Sequence, residues 1–181
     1  MLLTEAEKYG IIKADSCEAF SENVSKVDVI YSKGINVSGT PSIFSFNLQA
    51  GISVDTKGNI AIQGAFSGGI TTASSPGGAI TEYRSVTNAP SIYYLEGTGY
   101  QVGSSVFGGP ELPVALGGDL NIIPDIKNNK LYFGRTSNVG AGIGSPGSEV
   151  HVLWGETGTL EPTKINIFDI ADKIYERIMV W

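Results

Sequence analysis

From Phe44 to Val54 every second residue is apolar. Phe44, Phe46, Leu48, Ala50, Ile52 and Val54 form one series, and Ser45, Asn47, Gln49, Gly51, Ser53 and Asp55 form the other. Successive side chains of a strand point to opposite faces, so this period of two specifies a two-sided ribbon. The turn-forming run Asp55–Asn59 ends it, and Ile60, Ile62, Gly64 and Phe66 resume it, which predicts a hairpin.

The same reading predicts strands at Val27–Tyr31, continuing over Ile35–Val37 beyond a Lys33-Gly34 turn, and at Ala79–Val86, Ser91–Leu95 and Gly99–Val106. Val114, Leu116, Leu120 and Ile122 alternate in a further strand, followed by Leu131–Val139 and Glu149–Trp154. Breaks fall at Pro76, Thr87–Pro90, Phe107–Pro113, Asn128-Asn129 and Gly142–Ser148.

Strands that follow one another without intervening helices pair antiparallel. The expectation is a mainly β fold: an antiparallel meander of about eight strands, closed or strongly curled into a barrel, because closure removes unpaired edges. The expected barrel is soluble, with its apolar face inward. A membrane barrel would turn that face to lipid around a polar lumen; against it stands the end of the chain, which reads as a helix rather than a last strand.

That helix is predicted over 166–181. Ile167, Ile170, Ala171, Ile174, Tyr175 and Ile178 recur at helical spacing, with Asn166 as N-cap. The whole chain reads as a single domain: a weakly helical segment over 1–26, the barrel or curled sheet over 27–160, and the closing helix.

Composition narrows the function classes. The chain has 181 residues, 24 of them glycine, and a net charge of −6 with only 12 basic residues, which are scattered. Nucleic-acid binding through a basic surface is therefore not expected. Cys17 is the only cysteine, so no disulfide forms within the chain. No apolar run approaches the roughly 20 residues of a membrane-spanning helix, and the first residues lack the basic-then-apolar pattern of a signal peptide.

His151 is the only histidine and the first candidate for proton transfer near neutral pH. Glu149 lies two residues earlier on the same strand face, so the two form either an acid–base pair or a polar pair on a solvated face. Arg135 is in register with Leu131 and Phe133. If those point inward, it is a buried cation in need of a carboxylate, and Asp119 of the preceding strand is the candidate. Glu149, His151 and Arg135 make the candidate catalytic set. Glu156 and Glu161 flank the Glu149–Trp154 strand, where solvated loop carboxylates are the ordinary reading. Tyr83, Tyr93, Tyr94, Tyr100 and Tyr132 either line a ligand pocket or stabilise cross-strand pairs. No P-loop, zinc-deaminase pattern or nucleophile elbow is present, and one His with one Cys does not make a zinc site of ordinary composition. No cofactor or metal is expected.

"SVTNAPSIYYLEGTGYQVGSS", "NNKLYFG" and the closing "INIFDIADKIYERIMVW" resemble the C-terminal segments of Rhs or YD-repeat polymorphic-toxin-type proteins of bacteria. The resemblance covers about the last two-thirds of the chain and carries no catalytic signature. It implies a secreted effector module, with a cognate immunity protein as partner.

Three functions follow as expectations. The first is a non-enzymatic β-barrel module of a toxin-like protein that binds a small ligand or acts on a membrane. The second is a small toxin enzyme, a hydrolase or transferase, built on Glu149, His151 and Arg135. The third is a structural or adhesive module.

Overall fold

The computed structural model describes residues 28–73, 76–144, 146–160, 164–170 and 173. Eight long strands carry the fold: β1 (Ile30–Thr40), β2 (Phe44–Asp55), β3 (Asn59–Thr71), β4 (Gly77–Thr87), β5 (Gly97–Phe107), β6 (Val114–Asp125), β7 (Lys130–Gly144) and β8 (Gly147–Thr159). A two-residue strand, β9 (Ile165–Asn166), pairs with the start of β3.

The spatial order is β2-β1-β4-β7-β6-β5-β8-β3, and the pairing of β3 with β2 closes the ring. Every neighbouring pair is antiparallel. The expected mainly β, eight-stranded closed barrel is thus observed, but it is not a simple meander. β1–β2–β3 and β5–β6–β7 are meanders, while β4 returns beside β1 and β8 returns beside β5. Each group of four is a Greek key, in which the fourth strand lies beside the first. Alternation along a strand specifies two faces but not which neighbour it will pair with, so the return strands are invisible to it.

Local differences have local causes. Lys33-Gly34 is not a turn: β1 runs through it, and Gly34 lies opposite Gly51 and Tyr83. Ser91–Leu95 is not a strand: Ile92–Leu95 forms a short 3-10 helix after Pro90. Gly142–Gly144 continues β7 instead of turning. At the chain's end, residues 167–170 are helical, and Asn166 Oδ1 accepts the N–H of Phe168 (2.9 Å) and of Asp169 (3.3 Å), as an N-cap does. The rest of the 166–181 helix, the 1–26 segment and Cys17 lie outside the described residues, apart from Lys173, which is helical.

The direction of the two faces is the main correction. Phe44, Phe46, Leu48 and Ile52 of β2 are exposed, whereas Ser45, Asn47, Ser53 and Asp55 are buried. The same holds around the ring: Ile62, Phe66 and Ile70 face out from β3, Val102 and Val106 from β5, Leu116 and Leu120 from β6, and Val150, Val152 and Trp154 from β8. Facing in are Asn36, Gln63, Thr81, Ser85, Asp119, Thr136, Asn138, Glu149 and His151. An eight-stranded barrel has an interior only just wide enough for its side chains. Serine, threonine, asparagine and glycine fit there; a full set of Phe, Leu, Ile and Trp does not.

One end of the barrel is closed. Strands of alternating direction place the start of β1 and the end of β8 at the same end, called here the terminal end. The connection from β4 to β5 crosses it. Ala89 and Ile92 of that connection have no exposed surface and pack with Ile30, Ala61 and Tyr132, against Leu95 and Ile123. This apolar plug stops the barrel at that end.

Candidate functional site

Among the described residues the buried carboxylates and the histidine fall into two clusters inside the barrel. The first lies at the plug. Asp55, the last residue of β2, accepts the N–H groups of Lys57 and Asn59 (2.9 Å each) and the Asn59 side-chain amide (2.8 Å to Oδ2). It also accepts Ser91 Oγ (2.8 Å) and the Ile92 N–H (3.0 Å). Burial pushes its pKa up, but these bonds, led by those from Asn59, outweigh burial and hold it below the ordinary carboxylate value.

The second cluster joins six strands. His151 of β8 donates from Nε2 to Asp119 Oδ1 of β6 at 2.7 Å. Its Nδ1 stands 3.6 Å from Glu149 Oε1, a charge contact beyond hydrogen-bonding distance. Asn138 Nδ2 donates to the other Asp119 oxygen at 2.8 Å. Glu149 accepts Ser105 Oγ (2.7 Å), Thr40 Oγ1 (3.1 Å) and Thr71 Oγ1 (3.2 Å). Gly103 leaves the space Asp119 needs, because a Cβ there would overlap the carboxylate.

The electrostatics follow from this packing. Burial opposes charge on the His151 ring, yet the Asp119 hydrogen bond and the Glu149 carboxylate raise its pKa to about 9. Burial likewise opposes charge on Glu149, but His151, Ser105 and Thr40 hold its pKa below the ordinary value. At neutral pH the cluster is a protonated histidine between two carboxylates. Among the described residues no group of His, Cys, Asp and Glu is arranged to hold a metal ion.

The structure brings Glu149 and His151 together and separates Arg135 from them. Arg135 shares a face with Leu131 and Phe133, as its register implies, but that face is outside the barrel and Arg135 is exposed. Asp119 pairs with His151 instead. Nor are Glu149 and His151 a solvated pair: they are 6% and 7% exposed. The space beside them is a cavity of about 30 Å³, and the larger cavity in the barrel, lined by Gln49, Ser53, Gln63, Tyr83, Asn121 and Thr136, is about 100 Å³. Such volumes admit a few water molecules rather than a substrate.

The tyrosines do not form one pocket. Tyr83 and Tyr132 are inside, whereas Tyr93, Tyr94 and Tyr100 are exposed. Tyr94 packs edge-on against Tyr132 at the plug, with ring centroids 5.5 Å apart.

The outer surface is the other candidate site. On β2, β3, β5, β6 and β8 its mid-strand residues are apolar or glycine, apart from Ser104 and Glu156, which lies opposite Phe66. Tyr31, Tyr100, Phe133 and Trp154 project from it toward the terminal end, with Tyr100 directly opposite Trp154. The wall's cations are confined to the β1–β4–β7 sector, where Lys33, Arg84 and Arg135 lie with Glu82 among them.

Set against protein-family models, curated proteins and solved structures, the chain matches none.

Proposed function

We propose that this barrel acts in a membrane, its outer face against lipid, as a non-enzymatic module of a secreted toxin-like protein. One observation carries the reading: most large apolar side chains of the strands face out, and the interior beyond the plug, Tyr83 and Leu153 is mainly polar and hydrogen-bonded. In water an exposed apolar surface of this extent marks an interaction site. In lipid it is the normal outer face of a spanning barrel, flanked by aromatic residues at the interface.

The strands support the reading. They run 11 to 15 residues, against the roughly 9–11 that a tilted strand needs to cross hydrocarbon. Each of the eight long strands is paired along both edges around the closed ring, the arrangement that a lipid environment demands. The connections differ from those of up-and-down barrels, but all are made at the ends, so none crosses the lipid-facing wall. Because the lumen is filled, the barrel as described is not an open channel, and its effect on a bilayer comes from insertion. The enzyme built on Glu149, His151 and Arg135 has less support, since its third member is outside and the other two have no room for substrate. Secretion and a cognate immunity protein rest on the resemblance alone.

The test uses Trp154. In the Trp181→Phe variant it is the sole tryptophan. On mixing with phosphatidylcholine vesicles whose chains carry bromine, its fluorescence is quenched, while a trapped dye about 10 Å across is retained. A protein that stays monodisperse in buffer with Trp154 unquenched would overturn the proposal.

A further inference from the structure

The charged sector raises its own question, which rests on the membrane reading: what partners charge on a lipid-facing wall? Lys33 lies directly opposite Arg84 across the β1–β4 pair. Like charges so placed repel. Glu82 relieves this by bridging both, at 3.4 Å to Lys33 Nζ and 2.8 Å to Arg84 Nη2, with Arg84 Nε also donating at 2.8 Å. One strand further, Arg135 is a diagonal neighbour of Arg84, since Arg84 lies opposite Ser137. Arg135 makes no ion pair among the described residues. Three cations and one anion leave the sector two charges positive.

An apolar groove lies on each side of Arg84. The first, about 550 Å³, is lined by Tyr31, Ile35, Ile52, Val54 and Ile80, with Lys33 and Glu82 at its edge. The second, about 310 Å³, is lined by Val29, Val86, Leu120 and Phe133, with Arg135 at its edge. The cations sit one strand repeat inside the aromatic residues of their own strands: Lys33 is two residues from Tyr31, and Arg135 two from Phe133. Two residues of a tilted strand are roughly 5 Å of depth, a distance that long basic side chains span to reach the interface.

We propose that the β1–β4–β7 sector binds an anionic phospholipid. Its headgroup phosphate sits on Lys33, Arg84 and Arg135, and an acyl chain lies in the first groove, which runs inward from Tyr31 to Ile80. Both parts of the occupant are specified on the wall: cations left over after internal pairing, and a greasy channel leading inward from them. A second copy of the chain does not fit, because two-fold pairing sets the same surplus positive charge against itself.

The experiment compares retained lipid. The barrel is inserted into vesicles of equal phosphatidylglycerol and phosphatidylcholine, extracted in mild detergent, and weighed with its bound lipid by native mass spectrometry. The wild type is expected to retain phosphatidylglycerol at least tenfold over phosphatidylcholine. Each of Lys33→Gln, Arg84→Gln and Arg135→Gln is expected to lower that ratio about fivefold. A variant with all three changes and Glu82→Gln still inserts, since it only removes charge from the wall, and it shows no preference. Excess glycerol phosphate leaves the wild-type ratio unchanged if the first groove holds a chain. Complete displacement by it means that a free phosphate suffices, and overturns the lipid site. Equal retention by inserted wild type overturns this inference and leaves the membrane reading standing. Failure to insert overturns both.

Discussion

Asp55 Oδ2 accepts the backbone N–H of Ile92 at 3.0 Å, so the last residue of one strand holds the segment that crosses the barrel's mouth. Ile92 has no exposed surface, and Ser91 binds the same oxygen. Asp55→Ala removes the anchor of the plug together with that of the β2–β3 turn. It is expected to cost about 3 kcal/mol, the value of hydrogen bonds to a buried charge with their donors left unpaired, measured by denaturant unfolding. The segment 88–96 becomes a protease site in the variant. Cleavage no faster than in the wild type refutes the anchoring role.

The His151 cluster makes stability depend on pH in a defined direction. Its folded pKa, about 9, lies above the ordinary histidine value of 6.5, so the stabilisation is complete below pH 6.5 and is lost as pH rises through 9. Glu149 has a lowered pKa, so its contribution is complete above 4.5 and is lost as pH falls through the folded value. Unfolding free energy is therefore expected to be flat between about pH 4.5 and 6.5 and to decline toward pH 9. His151→Gln removes the alkaline decline and costs about 3–5 kcal/mol near pH 6 through the two unpaired carboxylates. An alkaline slope identical in both proteins counts against the pairing.

Charge on the outer wall separates lipid from water as the solvent of that face. Val152→Arg, at mid-strand on β8, is expected to weaken the bilayer-inserted barrel by about 2–4 kcal/mol. Thr81→Ser, facing inward, is expected to change little. In a protein whose wall is bathed by water, Val152→Arg would be neutral or would improve solubility. Folding yield into vesicles as a function of urea distinguishes the two.

Close packing of the wall on its own interior is tested at Gly51. A Cβ there would meet the Lys33 carbonyl oxygen, and the Tyr83 hydroxyl would lie 2.5 Å away. Gly51→Ala is expected to destabilise by about 1–3 kcal/mol. Adding Tyr83→Phe recovers little, because the carbonyl belongs to the β1 backbone and cannot swing aside. Full recovery in the double variant would place the conflict in the side chain instead.

The alternation in Phe44–Val54 was enough to predict β2, its hairpin with β3 and the closed antiparallel form, because a period of two is a property of single strands. Pairing partners are a property of the ring, so β4 and β8 returning beside β1 and β5 left no mark on the pattern. The direction of the faces was readable from volume: the polar series holds Ser45, Ser53 and Gly51 where the apolar series holds Phe44, Phe46 and Ile52, and only the smaller set fills so narrow a barrel. Judging inward by apolarity left the face of Arg135 open, with Tyr132 equally able to point inward, and offered Asp119 as the partner of Arg135 and not of His151. Parity had already set Asp119 beside Gly117 and Asn121 on the polar face, the side of His151. Asp55 was read as turn chemistry, which it also is; its hold on Ile92 spans 37 residues of sequence and has no local signature.

An even number of antiparallel staves brings the chain out where it went in. Ile30 enters and Thr159 leaves at the same end of the cylinder. In a bilayer, polypeptide attached at either point would stay on the side from which the barrel arrived, and only the four short loops at the other end would have to cross. Such a device can be planted in a membrane by a large carrier that never passes through it.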